Sequence, residues 1–85
     1  MNINLRFFAS VRETLGASQE TVTPPSGVTT VGALRTHLAA RGGAWAEALA
    51  PQRALRMAYN QVMCDADTEM TDGCEVAFFP PVTGG

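Results

Sequence analysis

Apolar residues recur in this chain at two different periods, and one stretch carries the helical one most clearly. Val31, Leu34 and Leu38 stand at i, i+3 and i+7, which places them on one face of an α-helix. Thr29-Thr30 supplies an N-cap hydroxyl just before them, Arg41 suits the last turn, and Gly42-Gly43 suits the C-terminal stop. Gly32, in the first turn, is the residue that works against this helix. The two ends of the chain read with period two instead. Ile3, Leu5 and Phe7 alternate with Asn2, Asn4 and Arg6, while Val76 and Phe78 face one way and Ala77 and Phe79 the other. With 85 residues there is room for one core. A helix flanked by strands on both sides then has to lie across a sheet. The expected class is α+β: a mixed four- to five-stranded sheet packed on one main helix.

The intervening stretches fit this plan. Ser10 to Ser18 is a polar connection around Gly16, with room for one helical turn. Gln19 to Thr23 is a second short strand, which Pro24-Pro25-Ser26-Gly27 stops. Ala44 to Ala50 reads as a second short helix with Trp45 and Leu49 on one side, ended by Pro51. Ala54 to Tyr59 is a strand with Leu55, Met57 and Tyr59 on one face. Asn60-Gln61 then turns the chain into a short strand at Val62-Met63. Asp65 to Asp72 is a polar loop and Asp72-Gly73 a turn signal before the last strand, Glu75 to Phe79. No repeat or linker divides the chain, so residues 1–79 form one domain and residues 80–85 a flexible tail. If the first and last strands lie side by side at the sheet centre, the tail leaves from the middle of the sheet.

Composition removes several function classes. At 46% hydrophobic the chain can bury a core without a metal or a disulfide. The net charge is −2 with no basic stripe, which argues against nucleic acid and anionic membrane as partners. The first residues lack the apolar region of a signal peptide and no run is long enough to span a bilayer, so the expected compartment is the cytoplasm. All six basic residues are arginines. Lysine chemistry is therefore closed to the chain, and so is an isopeptide bond from a copy of itself to one of its side chains.

The polar candidates each have a plainer reading. His37 sits at the edge of the apolar stripe with no ligand at metal-binding spacing, and reads as boundary packing. Cys64 and Cys74 form no Cys-x-x-Cys pair and read as two free thiols, at least partly buried. Asp65, Asp67 and Glu69 alternate as in a calcium loop, but Met70 stands where its glycine belongs and Val76 where its closing glutamate belongs. No metal site follows, and no Gly-rich loop with a lysine supports nucleotide binding by this chain.

Phe8 and Phe79 break the polar side of their strands. Two arrangements fit: they form an exposed apolar patch with Val82 beside the tail and bind a partner there, or irregular strands and the second helix cover them. The tail itself reads Pro80-Pro81-Val82-Thr83-Gly84-Gly85. Two prolines give no N–H to a sheet, two glycines leave bare backbone, and six extended residues reach roughly 20 Å. The sequence stops at Gly85, so its free α-carboxylate is expected at the end of an arm able to enter a pocket on another protein. The plainer reading of two terminal glycines is a frayed end.

The stretch Asp72-Gly73-Cys74-Glu75-Val76-Ala77-Phe78-Phe79-Pro80-Pro81-Val82-Thr83-Gly84-Gly85 closely resembles the end of the molybdopterin synthase small subunits, sulfur carriers of the MoaD/ThiS type. Phe7-Phe8-Ala9, Thr30-Val31 and Tyr59-Asn60-Gln61 resemble that family as well, so the likeness covers the whole chain. Its specific part is the Pro-Pro-Val-x-Gly-Gly ending. Cys74 departs from the family, which more often has an acidic residue there.

The resemblance implies a ubiquitin-like β-grasp fold and gives Gly85 the central role. An activating enzyme uses ATP to adenylate the terminal carboxylate, sulfur from a sulfurtransferase replaces one oxygen, and the thiocarboxylate results. The tail, Pro80 to Gly84, then inserts into the large synthase subunit. There the sulfur passes to precursor Z (cyclic pyranopterin monophosphate), forming the molybdopterin dithiolene. The resemblance further implies a heterotetramer of two small and two large subunits. The chain itself binds no cofactor and is not an enzyme on its own. Three rivals stand beside this reading: a sulfur carrier for thiamine or another pathway, a ubiquitin-like modifier that joins Gly85 to lysines of other proteins, and a plain binding module.

Overall fold

The computed structural model describes residues 1–81, so Val82, Thr83, Gly84 and Gly85 of the expected tail lie outside the described residues. In chain order the elements are β1 (Ile3–Phe7), α1 (Ala9–Leu15), β2 (Gln19–Val22), α2 (Val31–Ala39), α3 (Gly43–Ala48), β3 (Arg56–Tyr59), β4 (Val62–Cys64) and β5 (Glu75–Phe79). The strands form one five-stranded sheet in the order β2-β1-β5-β3-β4. β1 and β5 run parallel, pairing Leu5 with Val76 and Phe7 with Phe78, and the other neighbours are antiparallel. This is the mixed sheet of a ubiquitin-like β-grasp domain.

Period-two alternation puts Ile3, Leu5, Phe7, Val76 and Phe78 on one face of the central pair, and all five are buried. Leu34 and Leu38 of α2 join the same cluster, with Val11 of α1 and with Ala48 and Leu49 at the end of α3. The Phe7 ring meets Trp45 edge-on, with centroids 5.6 Å apart. Met57 and Tyr59 of β3, with Leu55 just before it, pack against this core; the strand starts at Arg56 rather than at Ala54.

Thr30 is the N-cap of α2, and its Oγ1 accepts from the Ala33 N–H at 3.2 Å. The next orphan donors find partners in the β4–β5 loop: Val31 N–H donates to Thr68 O at 3.0 Å and Gly32 N–H to Ala66 O at 2.9 Å. Gly32, which the helix pattern disfavours, is what admits that loop. A Cβ built there would stand 2.8 Å from Ala66 Cβ and 3.0 Å from Ala66 O. Asp65 folds the loop on itself by accepting from Asp67 N–H at 2.9 Å.

Two expectations need correction. The stretch after β1 is a helix of seven residues, α1, rather than a connection with one turn. It has no polar side-chain cap; Phe8 occupies the N-cap in extended geometry, and Ala9 takes a φ of 51° to swing the chain from strand to helix. Gly16 closes it in left-handed geometry, its N–H donating to Arg12 O at 2.9 Å. Second, α2 ends at Ala39, so Arg41 lies beyond its last turn. There the Arg41 guanidinium pairs with Glu20 at 2.8 Å and lies over the Trp45 ring at 4.4 Å. Gly42 is the N-cap of α3 and Gly43 its first residue, both with positive φ.

Candidate functional site

β5 is the middle strand of five, held by β1 on one side and β3 on the other. It therefore runs out of the sheet centre, as the first-and-last-strand pairing predicts. Phe79 is its last residue, paired with Arg56, and Pro80 and Pro81 follow it half-buried. Prolines at that point give no N–H to either neighbour, which ends the ladder. Residues 80 and 81 thus leave the sheet at the end of its middle strand.

Beside that exit the outer face of the sheet carries an apolar patch. Phe8 is 42% exposed and Phe79 half-buried, and their rings meet nearly perpendicular with centroids 6.3 Å apart. Of the two arrangements the sequence allows, an open Phe8 is what the structure holds. Phe8 stands out because Phe7 takes the inward position and the turn at Ala9 stops the strand there. The two rings border a shallow depression that also includes Ala58, Ala77, Gln61 and Glu75. Ala58 and Ala77 are paired neighbours across β3 and β5, and their small side chains leave the hollow. Met63, paired with Ala58 on the far side, is 56% exposed and extends the apolar strip to the sheet edge. Val82, the third member of the expected patch, lies outside the described residues.

The turn that forms one rim of this hollow is tightly tied. Asn60 and Gln61 both have positive φ, as a two-residue hairpin requires. Asn60 Oδ1 accepts from the Glu75 N–H, and the Asn60 N–H donates to Glu75 O, each at 2.8 Å. The resemblance marks Tyr59-Asn60-Gln61 as a family feature, and this clamp is its physical content.

The remaining candidates lie elsewhere. His37 is half-buried on α2 between Leu34 and Leu38. Cys74 is buried in the core and Cys64 half-buried on β4, both free. Burial pushes the Cys64 thiol up; a hydrogen bond with Thr68 works the other way, and the Asp65 charge adds to the rise. A raised thiol pKa disfavours the nucleophilic thiolate. Among the described residues no three His, Cys, Asp or Glu side chains gather as a metal site, and no helix is long and apolar enough to cross a membrane. Sequence reasoning found the two phenylalanines because they break an alternation. It missed Ala58 and Ala77, since small residues in a strand give no signal of a hollow.

Sheet order, helix placement and central exit of β5 define a ubiquitin-like β-grasp protein. Within that class the chain belongs to the ThiS family, which it matches over residues 5–85. It is 48% identical over 83 residues to the molybdopterin synthase sulfur carrier subunit of Escherichia coli, covering 98% of this chain and 99% of that one. The subunit of the same description from Haemophilus influenzae is 40% identical with the same coverage. Among solved structures, the complex of subunits 1 and 2 of the molybdopterin-converting factor from Helicobacter pylori contains a chain of the same fold. That chain gives a TM-score of 0.69 at 22% identity, with each chain covered completely.

Proposed function

We propose that this chain is the sulfur-carrier subunit of a molybdopterin synthase, with Gly85 as the group that carries sulfur. The observation that carries the reading is the 48% identity over nearly the whole of both chains to a carrier subunit of that synthase. The geometry supports it. The outer face presents an apolar hollow at the point where the tail starts, so one docking event seats the body and aims the tail.

The chemistry follows from the end group. A carboxylate is a poor electrophile. Attack of a Gly85 carboxylate oxygen on the α-phosphorus of ATP, held by an activating enzyme, expels pyrophosphate and leaves an acyl adenylate. The terminal sulfur of a sulfurtransferase persulfide then displaces AMP to give an acyl disulfide. A thiol reduces that disulfide, itself ending in a disulfide, to release the thiocarboxylate, ionised at neutral pH and a strong sulfur nucleophile. In the synthase the tail, Pro80 to Gly84, lies in the large subunit's pocket. The thiocarboxylate sulfur bonds to a carbon of precursor Z, and water cleaves the acyl–sulfur bond, returning Gly85 to a carboxylate on the way to the dithiolene. Glycine at positions 84 and 85 has no Cβ to obstruct either pocket. The body supplies recognition through Phe8 and Phe79, and the partners supply catalysis, so the chain acts as a protein co-substrate rather than a free-standing enzyme. The assembly is two small and two large subunits in the cytoplasm. The chain holds no cofactor of its own, and ATP is bound by the activating enzyme.

Deleting the gene distinguishes this pathway from thiamine synthesis. Molybdoenzyme activity should vanish while growth without thiamine continues. A thiamine requirement with normal molybdoenzymes overturns the assignment.

A further inference from the structure

The open face carries one charged residue that its own chain leaves poorly satisfied. Arg6 pairs with Ala77 in the register of the central parallel strands, so it stands next to the apolar hollow. Its guanidinium carbon lies 5.7 Å from the centroid of the Phe8 ring. Its Nε is buried with no hydrogen-bond partner among the described residues, and a terminal nitrogen sits 3.9 Å from Glu75 Oε1, outside hydrogen-bond range. The side chain is 42% exposed, so water meets the rest of the guanidinium in the free chain.

Docking changes that balance. A surface that covers the Phe8 ring also covers a cation within cation–π distance of it. It strips the water from Arg6, and a loose pair with Glu75 does not compensate a desolvated charge. A planar guanidinium is best met by a carboxylate, which accepts two parallel N–H bonds. We propose that Arg6 is a specificity-determining residue of the docking face. The partner surface that fills the hollow over Ala58 and Ala77 with an apolar side chain places a carboxylate against Arg6. The inference rests on the docking face described above and adds its charge: an apolar plug beside an acidic group. A partner with the plug alone leaves Arg6 buried with only the loose Glu75 pair and an unbonded Nε, and is rejected.

The test uses the full chain and the large synthase subunit from the same organism. Affinity is measured at low and high salt for the parent, Arg6→Met, Arg6→Lys and Phe8→Ser, with melting temperatures alongside. Arg6→Met should weaken binding by at least about tenfold and flatten the salt dependence, with melting unchanged. Arg6→Lys keeps the charge without the planar fork and should recover part of the loss. If Phe8→Ser weakens binding and Arg6→Met binds like the parent at both salts, the role of Arg6 is overturned and the docking face stands. If neither variant weakens binding, the docking face itself is wrong, and the inference falls with it. A dimer of the free chain that Phe8→Ser or Arg6→Met dissociates assigns the face to a second copy, which also overturns the proposal.

Discussion

The two faces of the five-stranded sheet are built from the same strands and differ in what covers them. On the inner face Leu5, Phe7, Val76 and Phe78 are buried against helices that supply Val11, Leu34, Leu38 and Ala48. On the outer face the sheet presents Arg6, Ala58, Ala77 and Phe79, with Phe8 just past the end of β1. The inner face is chemically uniform and closed. The outer face mixes two small alanines, two aromatic rings and the charged Arg6, Arg56 and Glu75, and among the described residues its Phe8 ring stays exposed. A fold closes one face to hold itself together; on the proposed reading the other is left for a partner. Substitutions should therefore separate cleanly into those that melt the domain and those that leave it folded but idle.

The largest effect should come from a change that touches neither face. Adding one residue after Gly85 should leave melting unchanged and abolish sulfur transfer, because the reacting carboxylate moves off the glycine. Normal transfer by the extended chain, assayed with purified synthase, contradicts the carrier role.

Next comes the closed face. Leu34 is fully buried, and Leu34→Ala should cost about 2–5 kcal/mol in a denaturant titration by removing apolar contact and leaving a cavity. Docking by the fraction that remains folded should be normal. A loss below the lower end of that range means that the helix side can collapse around the gap.

The open face gives the smaller effect. Phe8→Ser and Phe79→Ser should each weaken binding of the large subunit by roughly 1–3 kcal/mol in calorimetry. The Phe8 variant should melt close to the parent, since that ring is 42% exposed. Phe79 is half-buried, so its variant should lose somewhat more stability. If both melt far earlier with unchanged affinity, these rings belong to the core and the contrast between the faces collapses.

How much of this was legible in the sequence follows the same division. The closed face was readable because burial imposes a period: two for β1 and β5, and the helical one for α2. The seven residues of α1 escaped because they turn only Val11 fully inward, with Leu15 half-buried, and start without a polar cap. Gly32 read as a flaw in α2, and only the approach of Ala66 explains it. On the open face Phe8 and Phe79 were visible as breaks in alternation. Arg6 was not, because an arginine on the polar side of a strand looks ordinary until its missing hydrogen-bond partner is seen. The hollow over Ala58 and Ala77 depends on which strands become neighbours, and local pattern does not encode that pairing.

The central claim is that the terminal glycine is where sulfur rides. Intact-mass analysis of the chain isolated from cells making molybdenum cofactor tests it directly. The account predicts a species heavier than the parent by the replacement of one oxygen with sulfur, located to Gly85 by fragmentation and absent when the activating enzyme is deleted. A terminus that stays a plain carboxylate under those conditions, or that is recovered joined to lysines of other proteins, would contradict it.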